Sequence, residues 1–554
     1  MNSLILGGYS GISDANDARR LEVFADSCLA PLLQYLYKNA HFEFTLYVTS
    51  EEMLWIEANR SAIQKLIARL VKRKSLSLLI SSKNHCFMPI SSAQNVTDQI
   101  EQMRMQVRKH YRNRCKGYFA FGGFWSSELI SKLAKADISY AVVPTFVKNR
   151  FDSGPFFMSE HGKKFVIYPS DYAIADAVSR FAAGKIGSDD FRLAVEEYAS
   201  GLDRDRCVSC FLNFDDLVDA GKDTLFCLDS IFGIFRNRGF RFFNTDDDIA
   251  FKRIGYLNSG SYYYGEDYIS ELFKGNDSFN RIAMINYISS LSVDKMIHKK
   301  DREALKSHAV LMSYGDQFVK NDDASGKYNE MLSELFVGIN SGSIRIPDMY
   351  RLESLELVVI RKKEYLAFLD TAQGCIRKIF SMRTANEICF GAPSFYDIVE
   401  DSRNGRSIAK YGSYCLDGIS DDIITLAYQN GSLDYSIRKS FVFSANSIIC
   451  NIALANIAQK PVSFSFAQFF CLKNGNGQSA PLSSAQPTGF LEMEALSESQ
   501  SNECLFGLDP KKTYMPYYDL NMVTDEVLDF NYSISIMDSS QKEKRALTKA
   551  KECQ

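Results

Sequence analysis

The sequence predicts an α/β domain built on a parallel sheet, followed by a helical segment and then by a β-sandwich. Three observations predict this class. Short apolar runs alternate with helical periodicity through the first 170 residues, proline is absent from Asp171 to Ile346, and the apolar period changes to two beyond that point. At 554 residues the chain has room for two or three domains.

Apolar runs in the first part of the chain are typical of buried strands. The predicted strands cover residues 3–9, 42–48, 75–81, 116–121, 139–143, 163–169 and 206–214. Helical spacing of apolar residues predicts helices over residues 21–37, 53–73, 98–111 and 126–136. This alternation requires parallel strands joined by crossover helices, and a barrel or an open doubly wound sheet would each satisfy it.

The pattern changes twice further along the chain. After about residue 265 it is largely helical. Strand-like runs separated by turn residues then cover residues 355–361, 365–370, 436–444, 447–457 and 462–472. The change of period predicts a β-sandwich for this part.

Composition limits the classes of partner and compartment. The formal net charge is −3, from 64 basic and 67 acidic side chains, which predicts no nucleic-acid partner and no anionic membrane surface. No apolar run reaches about 18 residues, so we expect no membrane span. The 13 cysteines form no disulfide-scaffold pattern, which favours reduced thiols in the cytoplasm. No metal or cofactor is indicated, and the oligomeric state is left open.

Several segments carry a resemblance to a known family. They are SLILGGYSG (3–11), VTSEEMLWIEAN (48–59), KGYFAFGGFWSSELISKLAKADISYAVV (116–143), RCVSCFLNFDDL (206–217) and the stretch that begins ESLELVVIRKK (353–363). In order, they resemble five parts of glycoside hydrolase family 57: the opening strand with its H-x-H-Q-P-type motif, the second strand and helix, the nucleophile segment, the acid-bearing strand and the start of the C-terminal β domain.

The resemblance is to the family's 4-α-glucanotransferases and α-amylases, and it implies both a fold and a substrate class. The implied fold is a distorted (β/α) barrel over residues 1–265, a helical subdomain packed on it over 266–342, a C-terminal β-sandwich over 343–540 and a charged tail over 541–554. The implied partner is an α-glucan or malto-oligosaccharide.

The family's catalytic residues are not retained at the matching positions. Its retaining enzymes need two carboxylates about 5–5.5 Å apart across the scissile bond. Matched residue by residue, the nucleophile falls on Gly122, which has no side chain. The acid falls on Phe214, or on Asp215 if the register slips by one residue.

Other family positions have changed as well. The two histidines of the first motif fall on Tyr9 and Gly11, and a glutamate of the second motif falls at or near His85. The Asn-Asp-x-Tyr-Trp signature of the helical subdomain is reduced to a stretch such as residues 313–318. The resemblance therefore implies a scaffold whose catalytic motifs are degenerate.

Three carboxylates remain candidates for catalysis. Asp215 and Asp216 are a surviving acid pair or, alternatively, the cap of the helix that follows their strand. Glu128 is a substitute nucleophile or a first-turn residue that suits the helix dipole.

The remaining site candidates also have structural interpretations. Trp125 stacks on a sugar ring or closes the top of the barrel, while Tyr9 and His85 occupy substrate-contacting family positions. The aromatic run Tyr262, Tyr263 and Tyr264 forms a sugar-stacking platform or packs internally. Cys207 and Cys210 lack the second pair that a zinc site needs, so we expect them on a buried strand.

The sequence thus favours a catalytically degenerate relative of these enzymes, a pseudoenzyme that at most binds α-glucan or a partner in carbohydrate metabolism. One alternative is an active retaining α-glucan hydrolase or transglycosylase with a rebuilt carboxylate pair. Another is a structural or assembly protein whose cleft is closed by the rings of Tyr9, Phe121, Phe124 and Phe214.

Overall fold

The structure is a computed structural model. It describes residues 2–11, 18–84, 86–144, 154–160, 162–202, 207–221, 224–246, 253–257, 259–261, 276–313, 322–382, 387–388, 396–401, 406–407, 413–420, 422–429, 435–457, 462–471, 490–495, 513–514, 517–522 and 527–537.

The chain divides into two compact units. One comprises residues 1–278 and 309–328, and the other comprises residues 279–308 and 329–554. The boundary between the units runs through the predicted helical segment.

The first unit is built on a mostly parallel sheet of nine strands. The strands of this unit are β1 (Ser3–Tyr9), β2 (Phe44–Tyr47), β3 (Leu76–Ile80), β4 (Gly117–Phe119), β5 (Phe124–Trp125), β6 (Tyr140–Val143), β7 (Phe156–Glu160), β8 (Lys163–Pro169), β9 (Cys207–Asn213), β10 (Arg241–Phe243) and β11 (Gly260–Ser261). The order in the sheet is β10-β1-β2-β3-β4-β6-β8-β7, β9 pairs with β1, and β5 and β11 form a separate small sheet.

Helices connect these strands. They are α1 (Ala18–Val23), α2 (Ala30–Lys38), α3 (Ser50–Asn59), α4 (Ser61–Lys72), α5 (Ala93–Tyr111), α6 (Leu129–Lys135), α7 (Tyr172–Ala182), α8 (Ser188–Gly201), α9 (Phe214–Ala220) and α10 (Thr224–Asn237). A π-helical turn, Phe24–Leu29, joins α1 to α2.

The predicted strands of this unit are confirmed in position. The extent of one predicted helix and of one predicted strand was wrong. The single helix predicted over 53–73 is two helices, because the backbone of Arg60 leaves the helical region (φ −137°, ψ 57°). Its guanidinium then binds Glu22 and Asp26 at 2.9 and 2.7 Å. The strand predicted over 116–121 ends at Phe119.

The parallel strands are buried on both faces, as expected for strands covered by crossover helices. In β1, Leu4 and Leu6 pack into the core between sheet and helices. Ile5 and Tyr9 point to the other face, into a second core that includes Phe119 and several further aromatic rings. Successive side chains of a strand alternate between faces, which accounts for the two cores.

Two glycines let other elements approach β1 closely. A Cβ on Gly7 would lie 2.4 Å from the ring of Phe211 and 2.7 Å from the carbonyl oxygen of Thr45. A Cβ on Gly8 would lie 2.3 Å from the ring of Phe214. These rings therefore occupy space that any larger residue in β1 would need.

Hydrogen bonds join the end of β8 to β9. The amide of Asp171 donates to the carbonyl of Ser209 at 2.7 Å, and the Ser209 hydroxyl donates to the carbonyl of Pro169 at 2.6 Å. Because β9 also pairs with β1, it has hydrogen bonds both to β1 and to the end of β8.

Three helices follow: α11 (Asn276–Leu291), α12 (Lys299–Met312) and α13 (Asp322–Asn340). None of the helices in the described part of the chain is long and apolar enough to cross a membrane.

The described residues of the second unit form three antiparallel sheets. Their strands are β12 (Met349–Leu352), β13 (Leu357–Arg361), β14 (Tyr365–Asp370), β15 (Cys375–Ser381), β16 (Glu387–Ile388), β17 (Tyr396–Asp401), β18 (Arg406–Ser407), β19 (Ser413–Ser420), β20 (Ile423–Gln429), β21 (Tyr435–Phe443), β22 (Ser447–Asn456), β23 (Val462–Cys471), β24 (Phe490–Ala495), β25 (Thr513–Tyr514), β26 (Tyr517–Met522) and β27 (Val527–Met537). Strands β12–β16 form one sheet, β17, β18, β23, β25 and β26 a second, and the remaining six a third. Alternating burial along β22 matches the period of two in the sequence.

We predict that Gly7→Ala destabilises the protein. The new methyl group would meet the backbone of Thr45 as well as the Phe211 ring, so the strand pair must shift, at a cost of about 1–3 kcal/mol. The free energy of unfolding in urea would measure this. Gly201→Ala is the control, because nothing lies within 4 Å of its added Cβ, and an unchanged stability of Gly7→Ala would contradict the close approach.

Candidate functional site

The candidate site lies where parallel strands end and their loops begin. The residues that follow β1, β2, β4 and β9 meet at this carboxyl edge, the place where α/β barrels carry their chemistry. The site belongs entirely to the first unit.

Asp215 is held at this edge by the segment that follows β1. The amide of Gly11 donates to its Oδ2 at 2.9 Å, and the Ser10 hydroxyl lies 2.9 Å from its Oδ1. Asn213, not an aspartate, caps α9, since its side chain accepts from the amide of Asp215. The alternative in which the aspartates cap the helix is therefore wrong.

The structure places the two candidate acid positions in different surroundings. Phe214 is fully buried in the core between sheet and helices, in contact with the β1 glycine position. The next residue, Asp215, then points back toward Ser10. Of the two residues that the motif match left open, Asp215 is the one whose side chain lies at the carboxyl edge.

A second carboxylate, Glu52, reaches the same serine, and the sequence reasoning missed it. Glu52 is fully buried, hydrogen-bonds Ser10 Oγ through Oε1 and accepts the Thr49 amide through Oε2 at 2.6 Å. The Thr49 side chain accepts the Glu52 amide in return, so the two residues form a capping box. The Thr-x-x-Glu spacing after a strand was the available signal.

The Ser10 hydroxyl lies between two carboxyl groups, those of Glu52 and Asp215. A hydroxyl has one proton to donate, so it satisfies one of the two oxygens at a time. Burial raises the pKa of Asp215 above its ordinary value, against the opposing effects of Ser10 and the Gly11 amide. Asp215 is therefore a group at this edge whose charged form is disfavoured by burial.

Asp216 points elsewhere. Its carboxylate accepts from the Asn213 side chain at 3.0 Å and from Ser179, while burial raises its pKa. Asp215 and Asp216 thus do not form a pair at the site.

The matched nucleophile position is structurally closed to a side chain. Gly122 has φ +64°, in the left-handed region, and a Cβ there would lie 2.7 Å from the ring of Phe124. Phe121, just before it, is half-buried and its ring lies 3.1 Å from the Cβ position of Gly11.

The aromatic candidates beside the site are core residues. Trp125 is fully buried, with its ring 6.4 Å from that of Phe165, so in this structure it packs and has no surface for a sugar. Tyr9 is 5% exposed, and its ring lies 4.8 Å from that of Phe119.

The four aromatic rings that were expected to close the cleft lie in different parts of the first unit. Tyr9 lies in the inner core, which Phe121 borders, whereas Phe214 lies in the core beneath the helices. Phe124 packs on Phe87 at 4.7 Å.

Glu128 lies on the surface. Its side chain is 70% exposed and its carboxylate is 3.8 Å from the ammonium of Lys132, one helical turn away. This is the geometry of a solvated helix start, and nothing brings it to Ser10.

Some predicted residues fall outside the described part of the chain. They are His85, Tyr262, Tyr263, Tyr264 and residues 314–318 of the degenerate helical signature.

Cys207 and Cys210 lie on β9, as expected. Burial raises the pKa of Cys207 to about 12 and that of Cys210 well above the ordinary thiol value. Among the described residues no group of three His, Cys, Asp or Glu side chains is placed to hold a metal ion.

Comparison with known proteins agrees with the motifs. Residues 10–217 match the family model described as glycosyl hydrolase family 57, so this part of the chain is family 57-like. A search of curated proteins finds no match.

Solved structures of three enzymes are similar to this chain. The 4-α-glucanotransferase of Thermococcus litoralis aligns with a TM-score of 0.52 at 12% identity, over 97% of this chain and 100% of that chain. The α-amylase AmyC of Thermotoga maritima aligns with a TM-score of 0.45 at 12% identity, over 62% of this chain and 94% of that chain. A branching enzyme of Pyrococcus horikoshii aligns with a TM-score of 0.45 at 12% identity, over 61% of this chain and 90% of that chain. At 12% identity the first likeness is one of fold.

We predict that Asp215→Asn removes a pH-dependent loss of stability. A buried carboxyl with a raised pKa keeps its proton to a higher pH in the native state than in the unfolded state. Above about pH 4, the ordinary pKa of an aspartate, the native state therefore binds more protons than the unfolded state. The free energy of unfolding of the wild type then falls as pH rises through the folded pKa. Asparagine cannot ionise and still offers an acceptor to Gly11 and a donor to Ser10.

The measurement is urea unfolding from pH 4 to 8. The stability of Asp215→Asn relative to wild type should increase with pH and level off above the folded pKa. Asp189→Asn, which removes an exposed carboxylate in the first turn of α8, is the matched control. A difference between Asp215→Asn and wild type that stays constant with pH would contradict the raised pKa of Asp215.

Proposed function

We propose that this family 57-like chain is a catalytically degenerate relative of the 4-α-glucanotransferases and α-amylases, and that it binds α-glucan without cleaving it. The observation that carries the proposal is Gly122: the matched nucleophile position has no side chain, and the Phe124 ring takes the space that one would need.

The remaining carboxyl pair does not replace the lost one. Retaining catalysis places two carboxylates about 5–5.5 Å apart on either side of the scissile bond. Glu52 and Asp215 are both hydrogen-bonded to the same oxygen, so the Ser10 hydroxyl fills the space that a sugar would have to enter. Glu52 is also fully buried and cannot reach a substrate.

A binding surface nevertheless remains at the carboxyl edge. The Phe121 ring is half-buried. A Cβ added to Gly11 would lie 3.1 Å from this ring and 3.1 Å from Asp215 Oδ2, so the two groups are on either side of Gly11. An apolar ring beside a polar group is the usual arrangement for holding a sugar by stacking and hydrogen bonding. Phe121 is our principal contact residue, with Asp215 as its polar neighbour.

The finer features of the fold are part of this proposal. The hydrogen bonds between β8 and β9 support closure of the sheet into a distorted (β/α) barrel. We take α11–α13 as a helical subdomain and the antiparallel sheets that follow as a C-terminal β-sandwich. The scatter of the 13 cysteines along the sequence, without a disulfide-scaffold pattern, supports a reducing compartment, the cytoplasm.

We predict that maltoheptaose is bound and not converted. Purified protein at high concentration, incubated for days, should give no shorter or longer glucans by mass spectrometry, while calorimetry or ligand-observed NMR detects binding. Phe121→Ala should weaken binding about tenfold, the loss of one ring contact worth about 1.4 kcal/mol. Tyr37→Ala, an aromatic 51% exposed at the opposite edge of the sheet, is the matched control.

An active enzyme is the second candidate, favoured by the raised pKa of the buried Asp215 at the matched acid position. Products that disappear in Asp215→Asn or Glu52→Gln would establish it and overturn the pseudoenzyme proposal. Absence of both products and binding would leave the scaffold without a glucan function.

We also predict that Gly122→Glu alone restores no turnover. The left-handed backbone and the Phe124 ring oppose any side chain there, so the variant should lose about 1–3 kcal/mol of stability in urea unfolding. Glucan cleavage by this single variant would mean that the site still accepts a nucleophile, contrary to the observation on which the proposal rests.

A further inference from the structure

The amino-terminal edge of the parallel sheet, opposite the candidate site, is rich in basic side chains. In crossover units the helices end and the next strands begin at this edge. We define the basic rim as the exposed residues that lead into or begin these strands, which are Arg73, Lys74, Arg112, Arg114, Lys116, Lys163, Lys164, Arg238 and Arg241.

Acidic residues in the same segments are fewer and mostly engaged. Asp137 pairs with Arg114 at 2.7 Å, and Glu43 accepts a hydrogen bond from Asn244 at 2.7 Å. Glu160 faces Lys163 across the turn between β7 and β8. The rim therefore keeps a net positive charge although the whole chain is slightly negative.

Helix dipoles account for only part of the rim. Arg73 donates to the carbonyls of Leu36 and Tyr37 at the carboxyl end of α2, a favourable position for a cation. Lys74 and Lys116 lie beyond the helix ends and form no ion pair with a described residue.

The register brings two of the rim residues to strands that lie two apart in the sheet. Gly117 of β4 pairs with Tyr140 of β6, which pairs with Val166 of β8. Neighbouring strands are about 4.8 Å apart, so Lys116 and Lys164, at the starts of β4 and β8, begin about 10 Å from each other. One extended anionic chain can contact both of these cations.

An exposed aromatic ring adjoins the rim. Tyr37 is 51% exposed, and the guanidinium of Arg73 lies 5.5 Å from its ring centroid. Aromatic rings and arginine planes are the groups on which unpaired bases stack.

We propose that the basic rim binds a single-stranded nucleic acid through its phosphates, without base specificity, with Tyr37 and Arg73 as a stacking position. Protein interfaces have centres depleted in lysine, whereas nucleic-acid interfaces are polar and strongly positive. The expectation of no nucleic-acid partner rested on the net charge of the whole chain, whereas this proposal rests on the local concentration of cations at one edge of the sheet. The inference does not depend on the proposed glucan function.

Fluorescence anisotropy of the full chain with a labelled mixed-sequence RNA of about 20 nucleotides tests the proposal. Binding should weaken with salt, and the slope of log K against log salt is about −0.7 per phosphate contact. The triple variant Lys74→Gln, Arg112→Gln and Lys116→Gln should bind at least tenfold more weakly at about 50 mM salt and make the slope about 2 shallower.

The matched control removes the same charge from the second unit, at Lys295, Lys299 and Lys300, and should bind within about twofold of wild type. Thermal unfolding verifies that each variant is folded. If the triple variant is not folded, the single variant Lys116→Gln replaces it, and its slope of log K against log salt should be about 0.7 shallower than that of wild type. Equal losses in both triple variants would overturn the proposal, as would binding to anionic phospholipid vesicles without binding to RNA, or no RNA binding at low salt.

Discussion

The close approach of other elements to β1 is the constraint on which the first unit depends. The aromatic rings of β9 and of the first turn of α9 occupy the places where Gly7 and Gly8 have no side chains. This contact fixes β9 beside β1 and buries Phe214 beneath the helices. With Phe214 fixed in that direction, the following residue, Asp215, is turned toward Ser10.

The chemistry of the carboxyl edge follows from that placement. Asp215, Ser10 and Glu52 satisfy one another's hydrogen-bonding groups, and a fully paired buried network is stable where a lone buried carboxylate is not. The same pairing leaves no gap between the two carboxyls, because the Ser10 hydroxyl lies between them. At the same edge, the Phe124 ring takes the space beside Gly122 that a side chain would need.

The sequence predicted the strand–helix alternation, the strand positions and the later change to a period of two, because each depends on local apolar spacing. It also identified Gly122 and Asp215, since glycine at a matched position and an aspartate after a strand are visible in one dimension. Glu52 was not found, because its importance comes from a contact with Ser10, 42 residues away. The break at Arg60 and the basic rim were likewise not predicted, since both depend on which side chains become neighbours in space.

The pairing of β1 with β9 has a consequence for how the chain acquires its structure. Ser3 of β1 lies opposite Cys207 of β9, so β1 needs a partner that is synthesised about 200 residues after it. At about 5–20 residues per second, synthesis takes roughly 10–40 s to reach that partner. Throughout this interval the nascent chain has an unfilled strand edge, apolar on both faces, and is exposed to aggregation or to capture by a chaperone.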